Sequence, residues 1–285
     1  MKFIAGLFLF FILFSSILLC QSQLPSYYLQ DEFSIASPTS YRYGLYGYVN
    51  PAVLSMIEEP DIYFAWSDQI GRWNDFNNYG LFTSFPHLGF YMVNTNFKPY
   101  TVTDYKFSTG FGTDAASFGM GYAWSSGDTK ELNHSDYYTL GTIFRPIKYI
   151  SFGLVGNLST GNKSEGMVDF AVRPLGNELI ALYADYAFGN RKLTTDLNWS
   201  AGAVAEVLPG LRISGRYFSD HFFNVGAELS FGRLGLTSES HFSKDGKYGY
   251  NTYGIRIGAY DRNIFSDLST NNEYVKFELI GGMKY

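Results

Sequence analysis

The stretch ISFGLVGNLSTG, residues 150–161, decides between two folds. Ile150, Phe152, Leu154 and Leu158 occupy even positions, while Ser151, Gly153 and Asn157 occupy odd ones, with Val155 the one exception. A two-residue period belongs to a strand with one greasy face and one small or polar face. In a water-soluble sandwich the greasy face points inward. In a membrane barrel it points out into lipid, and the small polar face lines the lumen.

The composition is that of a β-protein. Aromatic residues make up 19% of the 285 positions, with 24 Tyr and 26 Phe, and there are 30 Gly. That is far from the usual Leu-, Ala- and Glu-rich globular mix. Tyr and Phe favour strands, and Gly permits tight turns and close strand packing. A mean hydropathy of −0.08 excludes a bundle of membrane helices, whereas a barrel needs only every second residue to be apolar. The net charge is −5 with no basic stripe, so nucleic acid is not an expected partner.

No catalytic constellation is recognisable. His87, His134, His221 and His241 stand at no metal-site spacing. GxSxG, HExxH, CxxC and P-loop patterns do not occur. The expectation is a chain with no catalytic site, cofactor or metal.

The N-terminus MKFIAGLFLFFILFSSILLCQSQ has an early Lys, an apolar run from Phe3 to Leu19, and then small and polar residues. This is the layout of a secretory signal over residues 1–22, with cleavage expected after Ser22. A retained anchor and lipidation at Cys20 stay open, although Leu19 stands where a lipoprotein signal would place a small residue. Residues 23–60 form an N-terminal periplasmic or plug segment. Within it Leu45, Val49, Val53, Leu54 and Ile57 follow roughly helical spacing. Pro51 interrupts them, which predicts a short broken helix ending before Pro60.

From Asp61 to Tyr260 alternation dominates, and it predicts fourteen strands of an all-β, antiparallel, up-and-down transmembrane β-barrel. Most strands have the length that a tilted bilayer crossing requires. The links after even-numbered strands are short: FPH, GTDA, RPIK, RPLGNE, LPG and GR. Those after odd-numbered strands include QIGRWNDFN, NFKPYTV, SGDTKELNH, STGNKSE and GNRKLTTD, with only SDH very short. Short periplasmic turns alternating with longer outer loops are an outer-membrane habit.

The less apolar face carries Asp169, Arg173, Asp185, Glu206, Arg212, Arg216, Glu228, Glu239, His241 and Arg256. A soluble barrel of fourteen strands with an apolar inside would enclose more space than side chains can fill. The greasy face is therefore expected to meet a lipid bilayer, and the charges to line a wet lumen. These acids and arginines could select a solute, or could simply neutralise one another. Residues 261–285 read as a linker followed by a strand over 273–283 that lies outside the barrel wall.

Several clusters carry a family resemblance: GLYGYVNPAVLSMIEEPDIYFAWSD (44–68), RWNDFNNYGLFTSFPHLGF (72–90), AVRPLGNEL (171–179), SAGAVAEVLPGLRISGRYF (200–218), GRLGLTSESHF (232–242) and YNTYGIRIGAYDRN (250–263). The chain resembles the N-terminal region that precedes the peptidase in long-form bacterial signal peptide peptidases, the protease IV family. Asn50-Pro51-Ala52 is also similar to the triplet near the N-terminus of fatty-acid-transporter-like barrels. The resemblance implies an envelope proteolysis context and a peptidase domain as partner, in cis or in trans. It supplies no catalytic residue, because nothing here matches the peptidase portion. Three expectations follow. One is a non-catalytic bacterial outer-membrane barrel that anchors or gates a periplasmic activity or passes small solutes. The second is the leading part of a membrane-associated serine endopeptidase, and the third a secreted soluble β binding module.

Overall fold

A computed structural model describes residues 32–40, 45–132, 134–160, 164–189 and 198–263. The expected signal (1–22) and the tail strand (273–283) lie outside the described residues. A short 3-10 helix, η1 (Pro51–Met56), precedes thirteen hydrogen-bonded strands. They are β1 (Asp61–Ser67), β2 (Asn78–Phe85), β3 (Leu88–Phe97), β4 (Tyr100–Gly112), β5 (Ala116–Gly127), β6 (Tyr137–Ile147) and β7 (Ile150–Ser159). There follow β8 (Ser164–Val172), β9 (Ile180–Gly189), β10 (Asn198–Leu208), β11 (Leu211–Phe218), β12 (Phe223–Phe242) and β13 (Tyr248–Asn263). Each strand pairs with its sequence neighbour, and β1 pairs with β13, so the sheet is a closed antiparallel barrel.

β12 is a hairpin rather than one straight strand. Twenty extended residues would span about 65 Å, yet the rings of Phe223 and Phe242 at its two ends stack with centroids 4.7 Å apart. The chain reverses at Gly232, which has φ +69, a left-handed conformation that costs glycine nothing. The first arm pairs with β11 and the second with β13. Thirteen strands with β12 counted twice give fourteen crossings of the wall. Parity requires this. In an up-and-down meander, first and last strands are antiparallel only when the number of crossings is even, and β1 is antiparallel to β13.

The opening stretch now has its answer. Ser151, Gly153, Val155 and Asn157 point inward and are buried, while Phe152 is 45% exposed on the outside. The same holds around the barrel. Large apolar side chains such as Phe90, Phe107, Met120, Leu182, Val225 and Ile257 are exposed outside, and charged residues of the strands such as Asp61, Lys106, Asp169 and Arg216 are buried within.

Two expectations are corrected. The link NFKPYTV is not long: β3 and β4 stay paired down to Phe97 and Tyr100, leaving only Lys98-Pro99 between them. Ladder hydrogen bonds outweigh the turn preference of Asn and Pro there. Pro51 does not interrupt a helix. It opens η1, where its missing N–H leaves no bond unmade.

Among the described residues, the pairing of β1 with β13 closes the barrel. A chain ending at Asn263 is therefore expected to fold in detergent with the mobility of the full chain on unboiled gels. Loss of the compact band on truncation would show that the wall needs the tail.

Candidate functional site

The core of this molecule lies inside the barrel. Phe33, Leu45, Tyr46, Tyr48, Val49, Val53, Met56 and Ile57 of the N-terminal segment are buried against inward-facing Tyr63, Phe82, Tyr91, Ile143, Val155 and Met167. A second patch joins Ile35 and Ala36 to Ala171, Ala181, Tyr183 and Val204. The segment is thus a plug. Its apolar side chains are accepted because the wall inside carries aromatic residues among the polar ones, a departure from strict alternation in meaning if not in spacing.

The sequence places the tip of the plug. Asn50 caps η1: its side-chain oxygen accepts from the Ala52 amide (3.1 Å) and its Nδ2 donates to the Thr142 carbonyl (3.2 Å). Such a cap satisfies an amide that would otherwise be orphaned. Below it, Gly110, Gly119 and Gly141 are mutually paired on β4, β5 and β6 and form a groove. A Cβ at Gly110 would lie 2.6 Å from the Pro51 carbonyl oxygen, one at Gly119 2.5 Å from the Ala52 amide, and one at Gly141 2.9 Å from Pro51 Cδ. The main chain of Asn50-Pro51-Ala52 sits where side chains would stand. This seat lies near the mouth with the short links, because the His87 amide in the β2–β3 turn donates to the Leu54 carbonyl (3.2 Å).

Side chains of the wall then grip the plug backbone. Tyr91 donates to the Tyr46 carbonyl and Lys106 to the Tyr48 carbonyl. The Lys106 ammonium also lies over the Tyr48 and Tyr137 rings, at 5.3 and 5.6 Å. Arg173 and Ser151 donate to the Thr39 carbonyl, and Asp169 accepts from the Thr39 amide and the Ser37 hydroxyl, both at 2.8 Å.

All eight lumen charges singled out by alternation face inward and are buried: Asp169, Arg173, Asp185, Arg212, Arg216, Glu228, Glu239 and Arg256. They do not form one site. Asp169 and Arg173 hold the plug. Asp185 pairs with Arg216 (2.9 Å), with Ser200 bonded to both. A ladder crosses five strands: Glu206–Arg212 (2.8 Å), Arg212–Glu228 (3.6 Å), Glu228–Arg256 (3.7 Å) and Arg256–Asp61 (3.1 Å). Glu239 stands on the second arm of β12, and the His241 ring beside it stacks on Tyr250 at 4.1 Å. Alternation placed Ser151 on the lumen face, but Tyr91, Lys106 and Asp61 were missed. Their signal was their phase, since each falls on the inward position of its strand.

Outside, the four tryptophans gather at the long-loop end. Trp66 stacks on Tyr253 (5.6 Å), Trp124 on Tyr105 (5.6 Å) and on Tyr122 (5.9 Å), and Trp199 tilts against Tyr217 (6.0 Å). Their polar tips turn to the loops: Trp66 Nε1 donates to the Trp73 carbonyl, and Tyr122 to Asp136. Trp73 itself sits in the β1–β2 loop. Among the described residues, no group of His, Cys, Asp and Glu could hold a metal ion.

No protein-family model matches the chain, and no curated protein matches it. Among solved structures, the chain is similar to a triple mutant of the Rhodopseudomonas blastica porin, at 7% identity and a TM-score of 0.41 over 70% of this chain and 98% of that one. Another mutant of the same porin overlays with a TM-score of 0.42 at the same identity and coverage. The barrel architecture rests on the strand pairing, not on these overlays.

Arg256 lies between two buried carboxylates. Arg256→Met takes the cation from Asp61 and leaves Glu228 to Arg212, and is expected to cost about 3–5 kcal/mol, read as a lower urea midpoint for the folded band. In the plug, burial pushes the Glu32 carboxyl up to about 7, partly offset by the Ser67 hydroxyl. Tyr250 of β13 lies near it, and Glu239 of β12 lies near Tyr250 in turn. The neutral acid is the form favoured in the folded state. Its contribution is fully present below the ordinary value of 4.5 and is lost as pH rises through about 7. Plug amides, after correction for intrinsic rates, are therefore expected to exchange hydrogen faster at pH 8 than at pH 5, and Glu32→Gln should remove the difference.

Proposed function

We propose that this chain is a non-catalytic barrel of the bacterial outer membrane, exported by a cleaved signal. Its lumen is closed near the short-turn mouth by residues 32–40 and 45–57, and it passes a small solute when they yield. The observation that carries the reading is the inverted dressing of the sheet. Phe107, Phe118, Phe144, Phe152, Leu182 and Ile257 are 40–60% exposed outside, while Asp169, Arg212, Arg216 and Arg256 are 0–4% exposed within. Water on that outer face would meet a continuous apolar cylinder far larger than a monomeric soluble protein presents. Lipid removes the penalty, and closure leaves no unpaired backbone to face it. The Trp and Tyr belt supports a headgroup boundary at the long-loop end, and short turns on the periplasmic side support a plugged mouth facing the periplasm.

The resemblance to the region preceding the peptidase of signal peptide peptidases supports a second reading, in which the barrel anchors a proteolytic activity in cis or in trans. Co-purification of a peptidase from envelope membranes, lost when the barrel is deleted, would support it.

The principal test is electrical. The purified protein should need detergent and should change gel mobility on boiling. In planar bilayers its single-channel conductance should be low and should rise several-fold when residues 23–60 are deleted. Large, steady conductance from the intact chain would remove the plug, and stable solubility without detergent would remove the membrane.

A further inference from the structure

We propose that the inner wall of β3–β6 is a peptide-binding site, with residues 45–57 as its resident ligand, and that it accepts the same class of ligand in trans: a short polypeptide carrying a tight Asn-Pro-small turn. The proposal rests on the reading of this segment as a plug, and it stands whether or not the barrel conducts.

The bonding is that of peptide recognition. Three wall donors address main-chain carbonyls: Tyr91 that of Tyr46, Lys106 that of Tyr48, and the His87 amide that of Leu54. Such bonds do not depend on the side chains of the segment. Sequence is read along the segment by the burial of Leu45, Tyr48, Val49, Val53 and Ile57, and most closely at the tip. The Asn50 amide is matched by the Thr142 carbonyl. Pro51 and Ala52 lie on paired glycines whose lack of Cβ leaves room for main chain and little else. Ala52 is 0% exposed, so a larger side chain there would have no space. Among the described residues no ion pair is recorded for Lys106, so this carbonyl and the two tyrosine rings are what its ammonium meets. The connection to the wall is slight as well: Glu58, Glu59 and Pro60 are exposed between η1 and β1.

The test uses the full chain with a specific protease site inserted at Glu58–Glu59. After cleavage in detergent, the N-terminal fragment is expected to stay with the barrel on size exclusion. It should then be displaced by excess fluorescent synthetic peptide covering residues 45–60, with saturable binding. Lys106→Met should weaken peptide binding at least about tenfold, as loss of a charge-assisted bond predicts. Peptide carrying Ala52→Leu should not compete. Unboiled gel mobility reports the barrel separately. If Lys106→Met disturbs it, Tyr91→Phe serves in its place. Equal binding of a scrambled peptide, equal binding of the Ala52→Leu peptide, or no binding at all overturns the proposal. A conductance that stays low while peptide exchanges freely would count against solute passage and leave the peptide site intact.

Discussion

A sheet of fourteen crossings closed into a cylinder leaves more room inside than its own side chains can occupy. Everything else in this structure answers that constraint. The wall is satisfied by closure, since every strand has a neighbour on both sides and no edge remains. The interior is not satisfied by closure. It is filled by a separate stretch of chain whose apolar residues form the principal buried cluster together with inward aromatics. The usual order of a globular protein is thereby reversed: the sheet is the shell, and the core is a segment that precedes it in sequence.

Fitting a backbone into a barrel exposes its polar groups to a space with little water, where an unpaired carbonyl is costly. The wall meets this with donors at fixed heights. Tyr91, Lys106 and the Arg173–Ser151 pair each end on a plug carbonyl. Glycines at 110, 119 and 141 let the tip approach closely enough for the Asn50 cap to reach Thr142. On the opposite side of the lumen the charges bond to one another instead, from Glu206 to Asp61 across five strands. Buried ladders of this kind add little net stability but make wrong registers expensive.

Much of this was legible in advance because a two-residue period carries its own geometry. Strand positions from Asp61 to the last crossing, the even count, and the inward phase of the eight charged residues all follow from alternation and turn chemistry. The reversal at Gly232 was legible as a two-residue link. The failed link at Lys98-Pro99 shows the limit, since turn-forming residues were paired into the ladder by neighbouring strands. The inward aromatics show another. Tyr63, Phe82 and Tyr91 stand at lumen positions for a reason that lies about 10–50 residues away in sequence, in the plug they hold.

By itself, then, the amino-acid sequence determined the sheet, its crossings and the direction in which each side chain leaves the wall, because those depend on neighbours one and two residues apart. Only the tertiary structure decided which inward residues act together. Asp169 and Arg173 became clamps on Thr39, while Arg212 and Arg256 became rungs of a charge ladder, although all four present the same signal in sequence. The difference is which body stands across the lumen, and that is set by closure of the barrel around its plug.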